Sequence, residues 1–143
     1  MTKIRKLMVK KVITLQAHAS VYEAVKLMNE NKIGSLVIVR NGETVGILTE
    51  RDLLERVLEK CKNPKETRVF EVMTNHVITG NPDMEIPEAA SLMFKNKVKK
   101  LPIVEGNKLV GMVTLTDIAR ATSVDEETIE LVETLSNMHL LGH

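Results

Sequence analysis

The chain of 143 residues has no tryptophan, one tyrosine and two phenylalanines. Three aromatic rings (Tyr22, Phe70, Phe94) are too few for a platform on which successive bases stack. Cysteine is nearly absent. Cys61 alone excludes an internal disulfide framework, a CxxC pair and a Cys-rich zinc site. Such usage implies a reducing, cytoplasmic compartment. Neither sign of charge dominates, with 20 basic and 19 acidic residues and a net charge of +1. That balance withholds the basic stripe a nucleic-acid binder needs and gives no electrostatic route to an anionic membrane. No apolar run approaches the roughly 18 residues of a membrane span. The start, Met1-Thr-Lys-Ile-Arg-Lys6, is not followed by the long apolar run of a secretory signal.

What is present is ordinary globular material, 43% hydrophobic and 27% charged. This supplies a real core, and the length suits one compact domain or two very small ones. The main signal is self-similarity. Sliding the sequence by 65 positions, from Met8 to Met73, brings two halves into register without a gap. Val12-Ile13-Thr14 meets Val77-Ile78-Thr79, Glu23-Ala24 meets Glu88-Ala89, and Leu27-Met28 meets Leu92-Met93. Asn31-Lys32 meets Asn96-Lys97, and Leu36, Ile38 and Val39 meet Leu101, Ile103 and Val104. Val45-Gly46, Thr49 and Asp52 then match Val110-Gly111, Thr114 and Asp117. The lead-in agrees in type, with Ile4 and Leu7 over Val69 and Val72. Seventeen identities over about forty-five positions establish two copies of one supersecondary unit.

Each copy reads as strand, helix, strand, hairpin, strand, helix. Val12–Leu15 is a short β-prone run. Ser20-Val-Tyr-Glu23 has capping-box spacing and opens a helix carrying Val21, Ala24, Val25, Leu27 and Met28 on one stripe. Leu36–Val39 is the continuous branched run of a strand covered on both faces. Asn41-Gly42 suits a tight hairpin turn into Val45–Leu48. Thr49 begins a second helix carrying Leu53, Leu54, Val57 and Leu58. The second copy repeats this order, with Asp83 and Pro87 near the helix start and Gly106-Asn107 at the turn. Residues Ser123-Val-Asp-Glu126 start a last amphipathic helix with Ile129, Val132, Leu135 and Met138, opposite Asp125, Glu126, Glu127, Glu130 and Glu133. The fold class is mixed α/β (α+β). Two units of this kind bury their sheets by packing them together.

The pattern closely resembles a tandem pair of cystathionine-β-synthase (CBS) domains, a Bateman module. The residues that carry the likeness are Val12-Ile-Thr14, Leu36-Val-Ile-Val39 and Gly46-Ile-Leu-Thr-Glu-Arg-Asp52, with second copies Val77-Ile-Thr79, Leu101-Pro-Ile-Val104 and Gly111-Met-Val-Thr-Leu-Thr-Asp117. The resemblance implies a first CBS domain over 1–61, a connector over 62–67, a second domain over 68–122 and a C-terminal helix and tail over 123–143. It implies pseudo-twofold packing of the two, and a non-enzymatic regulatory module that binds AMP, ADP or ATP in clefts between the paired domains. It further implies a homodimer forming a four-domain disk and an enzyme or transporter as the regulated partner, with neither nucleic acid nor membrane involved. A ligand-free interaction scaffold and a binder of S-adenosylmethionine are the alternatives.

The Gly-x-x-Thr-x-x-Asp segment supports this reading from its own chemistry. It lies where a strand ends and a helix begins, so free backbone N–H groups converge on a spot that favours phosphate. Thr49 adds a hydroxyl, and Asp52 is an acceptor suited to two ribose hydroxyls, as are Thr114 and Asp117 in the second copy. Thr-x-x-Asp at a helix start is equally a capping arrangement, and one pair of side chains can do both. By resemblance, adenine lies near Ile13-Thr14 or Ile78-Thr79, and against Lys32-Ile33-Gly34-Ser35 or Lys97-Val98-Lys99-Lys100. Core packing is the plain alternative for Ile13, Ile33, Ile78 and Val98. Arg51 is a phosphate partner or a solvated residue, and the second copy has Thr116 in its place. Lys99 and Lys100 stand where the first copy has Gly34 and Ser35, so the two sites are expected to be unequal.

Nothing else suggests chemistry. Cys61 has no local Cys or His companion, and among His18, His76, His139 and His143 only the last two are spaced i, i+4. Neither a catalytic group nor a metal site is expected. The methionines read as core filler, and Lys3, Arg5, Lys6, Lys10 and Lys11 as a solvated face.

Overall fold

The computed structural model describes residues 2–122. The last helix expected over 123–143 and the His139/His143 pair lie outside the described residues. The elements run α1 (Ile4–Leu7), β1 (Thr14–Gln16), α2 (Val21–Asn31), β2 (Ser35–Arg40), β3 (Glu43–Thr49) and α3 (Glu50–Leu53), which continues into a π-helical turn over Leu54–Leu58. They continue as α4 (Val69–Val72), α5 (Ile86–Asn96), β4 (Lys100–Glu105), β5 (Lys108–Thr114) and α6 (Leu115–Ala121). This is the mixed α/β order expected from the repeat.

The local signals act as the residue types require. The Ser20 hydroxyl accepts the Glu23 amide at 3.1 Å and caps α2. Pro87 sits in the first turn of α5, where its missing N–H costs nothing. Both helices end on a left-handed lysine, Lys32 at φ 53° and Lys97 at φ 54°. Asn41 and Gly42 take φ 54° and 78° in the first hairpin, and Gly106 takes φ 63° in the second. Both hairpins are antiparallel, and each carries a register shift at the same repeat position, after Ile38 and after Ile103.

Two expectations need correction. The strand expected over Val77–Thr79 is only a single parallel bridge, Gly80 to Ile103, whereas β1 pairs Thr14, Leu15 and Gln16 with Val37, Ile38 and Val39. Two prolines explain the difference. In the first repeat the Ala17 amide donates to the Val39 carbonyl at 3.0 Å. Ala17 is replaced by Pro82 and Val37 by Pro102, so the donors on either side of the bridge are missing. Second, the helix expected after Thr49 is α-helical only to Leu53 and widens into a π turn over Leu54–Leu58, with Leu54 and Leu58 48% and 65% exposed and Val57 buried. The wider π turn changes the helical register beyond Leu53, leaving Val57 as the inward residue.

The described residues pack as two compact units, one of residues 13–77 and one of residues 2–12 with 78–122. Each repeat has therefore given its lead-in helix to the other repeat's core. In the unit of residues 13–77, Val69 and Val72 of α4 are 0% and 1% exposed among Val21, Leu36, Ile38 and Leu48. In the other unit, Ile4 of α1 is fully buried among Met93, Leu101, Ile103 and Val113. Burying each such side chain stabilises by about 1.5–3 kcal/mol.

The backbone bonds that seat the two lead-ins match at the 65-residue offset. Ile4 and Arg5 amides donate to the Met84 and Pro82 carbonyls, as Val69 and Phe70 amides do to those of Ala19 and Ala17. Val9 and Met112 exchange two bonds of 2.9 Å, as Thr74 and Ile47 do at 2.8 and 2.9 Å. Arg5 also meets Glu105 at 3.0 Å and Asp83 at 3.4 Å. Hydrogen bonds to Glu105 and then Asp83 raise its pKa above the usual guanidinium value, yet these exposed pairs add little stability.

Methionine explains the repeated glycine. A Cβ on Gly111 would lie 2.7 Å from the Met8 sulfur and 3.1 Å from the Val9 carbonyl oxygen. A Cβ on Gly46 would overlap the Met73 side chain in the same way, 2.9 Å from its Cγ. Gly46→Ala or Gly111→Ala is therefore expected to cost about 1–3 kcal/mol of unfolding free energy in urea titrations. Combined with Met73→Ala or Met8→Ala respectively, the two losses should be less than additive, because the small partner removes the clash.

Candidate functional site

The strand–helix junctions are the site the sequence singles out, and each lies within one packing unit. In the first repeat Ser35, the first residue of β2, pairs with Thr49, the last of β3. The Glu50 amide donates to the Gly34 carbonyl at 3.0 Å and closes the corner. In the second repeat Lys100 pairs with Thr114, and the Leu115 amide donates to the Lys99 carbonyl at 3.0 Å. The structure thus brings Ser35, Thr49 and Asp52 together at one corner, and Lys99, Lys100, Thr114 and Asp117 at the other. A Cβ on Gly34 would meet only the tip of the Glu50 side chain, at 3.0 Å, which is why a lysine can occupy the equivalent place.

Both aspartates are caps. The Thr49 amide donates to Asp52 Oδ2 at 3.0 Å and the Asp52 amide to Thr49 Oγ1 at 3.1 Å. Thr114 and Asp117 make the same reciprocal pair at 2.9 and 3.1 Å. The capping alternative is therefore realised in each repeat. The surroundings differ. Asp52 is 5% exposed. The Thr74 hydroxyl lies 3.2 Å from its Oδ1 and 3.3 Å from its Oδ2, and Arg56 Nη1 is 3.7 Å from Oδ1. Asp117 is half-buried.

The remaining candidates fall into two groups. Ile13, Ile33, Ile78 and Val98 are partly buried and pack against the cores, so each has its structural role. Thr14 begins β1 opposite Val37, two residues along β2 from Ser35. Arg51 faces Glu55 at 3.9 Å, and Thr116 is half-buried on α6. Thr79 adjoins the Gly80 bridge and lines an open cleft of about 390 Å³ with Asn81, Pro82, Asp83, Met84 and Glu105. That cleft lies by the Gly106 turn and takes in none of Lys99, Lys100, Thr114, Thr116 or Asp117.

Thr74 and Arg56 were not anticipated. Both lie outside the matched motifs; Arg56 reaches Asp52 from four residues on, and the Thr74 contact depends on where the lead-in of the second repeat comes to rest. Arg56 Nη1 also donates to the Val72 and Met73 carbonyls at 3.1 and 3.0 Å. Among the described residues no three His, Cys, Asp or Glu gather as a metal set, and no helix is long and apolar enough to cross a membrane.

The CBS domain model matches residues 4–59 and again 69–124. The chain belongs to the CBS-domain family. The Bacillus subtilis CBS domain-containing protein YhcV is 31% identical over 140 residues, 98% of this chain and 99% of YhcV. A solved structure of a protein with CBS domains from Burkholderia ambifaria has a TM-score of 0.76 at 30% identity, covering 87% of this chain and 96% of that one. Inosine-5'-monophosphate dehydrogenase of Methanocaldococcus jannaschii is 38% identical over 120 residues, 82% of this chain but 23% of the enzyme. A tandem CBS pair is thus found both nearly alone and within a larger enzyme.

Replacing either aspartate should reveal the difference in their surroundings. Asp117→Ala removes one cap and is expected to cost about 1 kcal/mol. Asp52→Ala also strands the Thr74 hydroxyl and removes the carboxylate beside Arg56, and is expected to cost about 2–3 kcal/mol. Chemical denaturation of the two variants checks the order.

Proposed function

We propose that this CBS pair is a non-enzymatic sensor of an adenine nucleotide, AMP, ADP or ATP, held at its strand–helix corners. The observation that carries the reading is the corner at Asp117. A half-buried carboxylate is fixed by its cap beside the Thr114 hydroxyl, with Lys99 and Lys100 on the adjoining strand start. A carboxylate accepts from a ribose diol, and the cations and hydroxyls of Lys99, Lys100, Thr114 and Thr116 suit phosphate. Ile78, Thr79 and Val98 offer apolar and backbone contact to the base. Ile13, Thr14, Ile33, Ser35, Thr49, Arg51 and Asp52 are the equivalent set of the first repeat.

Family membership supports a regulatory role, as does a relative in which the region is one part of an enzyme. Control is exercised on a separate enzyme or transporter, or on the protein's own assembly, through the different affinity of the ligand for two arrangements of the pair. The reading includes a homodimer. Phe94 and Leu58, 79% and 65% exposed, are apolar surface that a second copy would cover. The setting is the cytoplasm, where the exposed thiol of Cys61 stays reduced.

A thermal-shift panel of AMP, ADP, ATP and S-adenosylmethionine tests this. A nucleotide at a hundredfold excess over Kd should stabilise by about 2.7 kcal/mol, and Asp117→Ala should abolish the gain. Melting curves unmoved by all four at millimolar levels would favour a ligand-free scaffold. A shift with S-adenosylmethionine alone would reassign the ligand.

A further inference from the structure

The two corners share backbone geometry and cap, but their carboxylates differ in what else holds them. Asp52 takes the Thr49 amide on Oδ2, the Thr74 hydroxyl across both oxygens and the Arg56 guanidinium near Oδ1, all with 5% exposure. A ribose diol needs access to this same group, and with Asp52 5% exposed behind Thr74 and Arg56 it would have to move Thr74 aside and compete with Arg56. Displacing Thr74 would further disturb a tightly seated segment. Thr74 and Ile47 exchange two backbone bonds, Arg56 grips the carbonyls of Val72 and Met73, and Met73 lies over Gly46.

At the 65-residue offset, Thr74 corresponds to Val9 and Arg56 to Ala121. Val9 is held by the same pair of bonds, to Met112, that Thr74 makes to Ile47. It therefore takes the equivalent place beside the second corner with a side chain that cannot donate, and Ala121 brings no charge. Asp117 keeps its cap without the two groups that occupy Asp52.

We infer that Thr74 and Arg56 are specificity-determining residues that close the first corner, so that the chain binds one nucleotide, at Asp117, and Asp52 serves as a strut for residues 72–74. This rests on the nucleotide-sensor reading and adds to it the stoichiometry and the residues that set it. Changing Thr74→Val with Arg56→Ala gives the first repeat the arrangement of the second.

Equilibrium dialysis of the full chain with AMP, and in parallel with ATP, measures nucleotides bound per chain at saturation. The wild type should bind one and Asp117→Ala none. Thr74→Val/Arg56→Ala should bind two, and the same double variant carrying Asp117→Ala should bind one. Circular dichroism checks folding. If the double variant fails to fold, Thr74→Val alone, which keeps the side-chain shape, still tests the opening, and the wild-type and Asp117→Ala counts still decide which corner is used. Two nucleotides per wild-type chain would overturn the inference and leave the sensor reading standing. So would one nucleotide that survives Asp117→Ala, or a folded double variant that stays at one. No binding of either nucleotide by the wild type would overturn both.

Discussion

The exchange of lead-in segments is the constraint on which the rest of the structure depends. Residues 2–12 complete the core built by the second repeat, and residues 68–74 complete the core built by the first. Neither repeat closes with its own lead-in. The exchange puts Met73 against Gly46 and Met8 against Gly111, at the middle of each last strand. The cap that follows, Thr49 with Asp52 or Thr114 with Asp117, is therefore presented from a strand that cannot shift without opening a core. The positions of the proposed binding groups follow from packing several residues earlier in the chain.

Duplication explains what the halves share, and three kinds of replacement explain where they part. Prolines at 82 and 102 remove donors and reduce a three-residue parallel ladder to one bridge. Lysines at 99 and 100 replace a glycine and a serine at the adjoining strand start, where a Cβ meets only a flexible side-chain tip. Valine and alanine replace the threonine and arginine that surround the first aspartate. The backbone tolerates all three, so the chemistry of one half can change while its architecture stays.

Much of this was legible in the sequence. The offset of 65, the Ser20 cap, the hairpin at Asn41-Gly42 and both Thr/Asp caps are local features whose residue types determine their geometry. The aspartates' dual character as cap and acceptor was also readable, because both uses follow from the same four-residue spacing. What escaped was non-local or register-dependent. The residues after Thr49 read as one helix, but a π turn changes the register after Leu53. One partner of Asp52, Thr74, comes from a segment 22 residues away that the repeat alone assigns to the other half. No spacing rule links Thr74 to Asp52, and the second copy, with Val9 there, gives no echo of it.

The exchanged lead-ins also bear on the order in which the chain can mature during synthesis. The first core lacks Val69 and Val72 until residues beyond the first repeat have left the ribosome, although every strand of that unit is made earlier. The opening segment, with Ile4, must wait for a unit that ends some hundred residues later. Domains commonly fold one after another from the N-terminus. Here the first core can close once Val69 and Val72 are made, whereas Ile4, made before either unit, finds its place only after the second unit is complete.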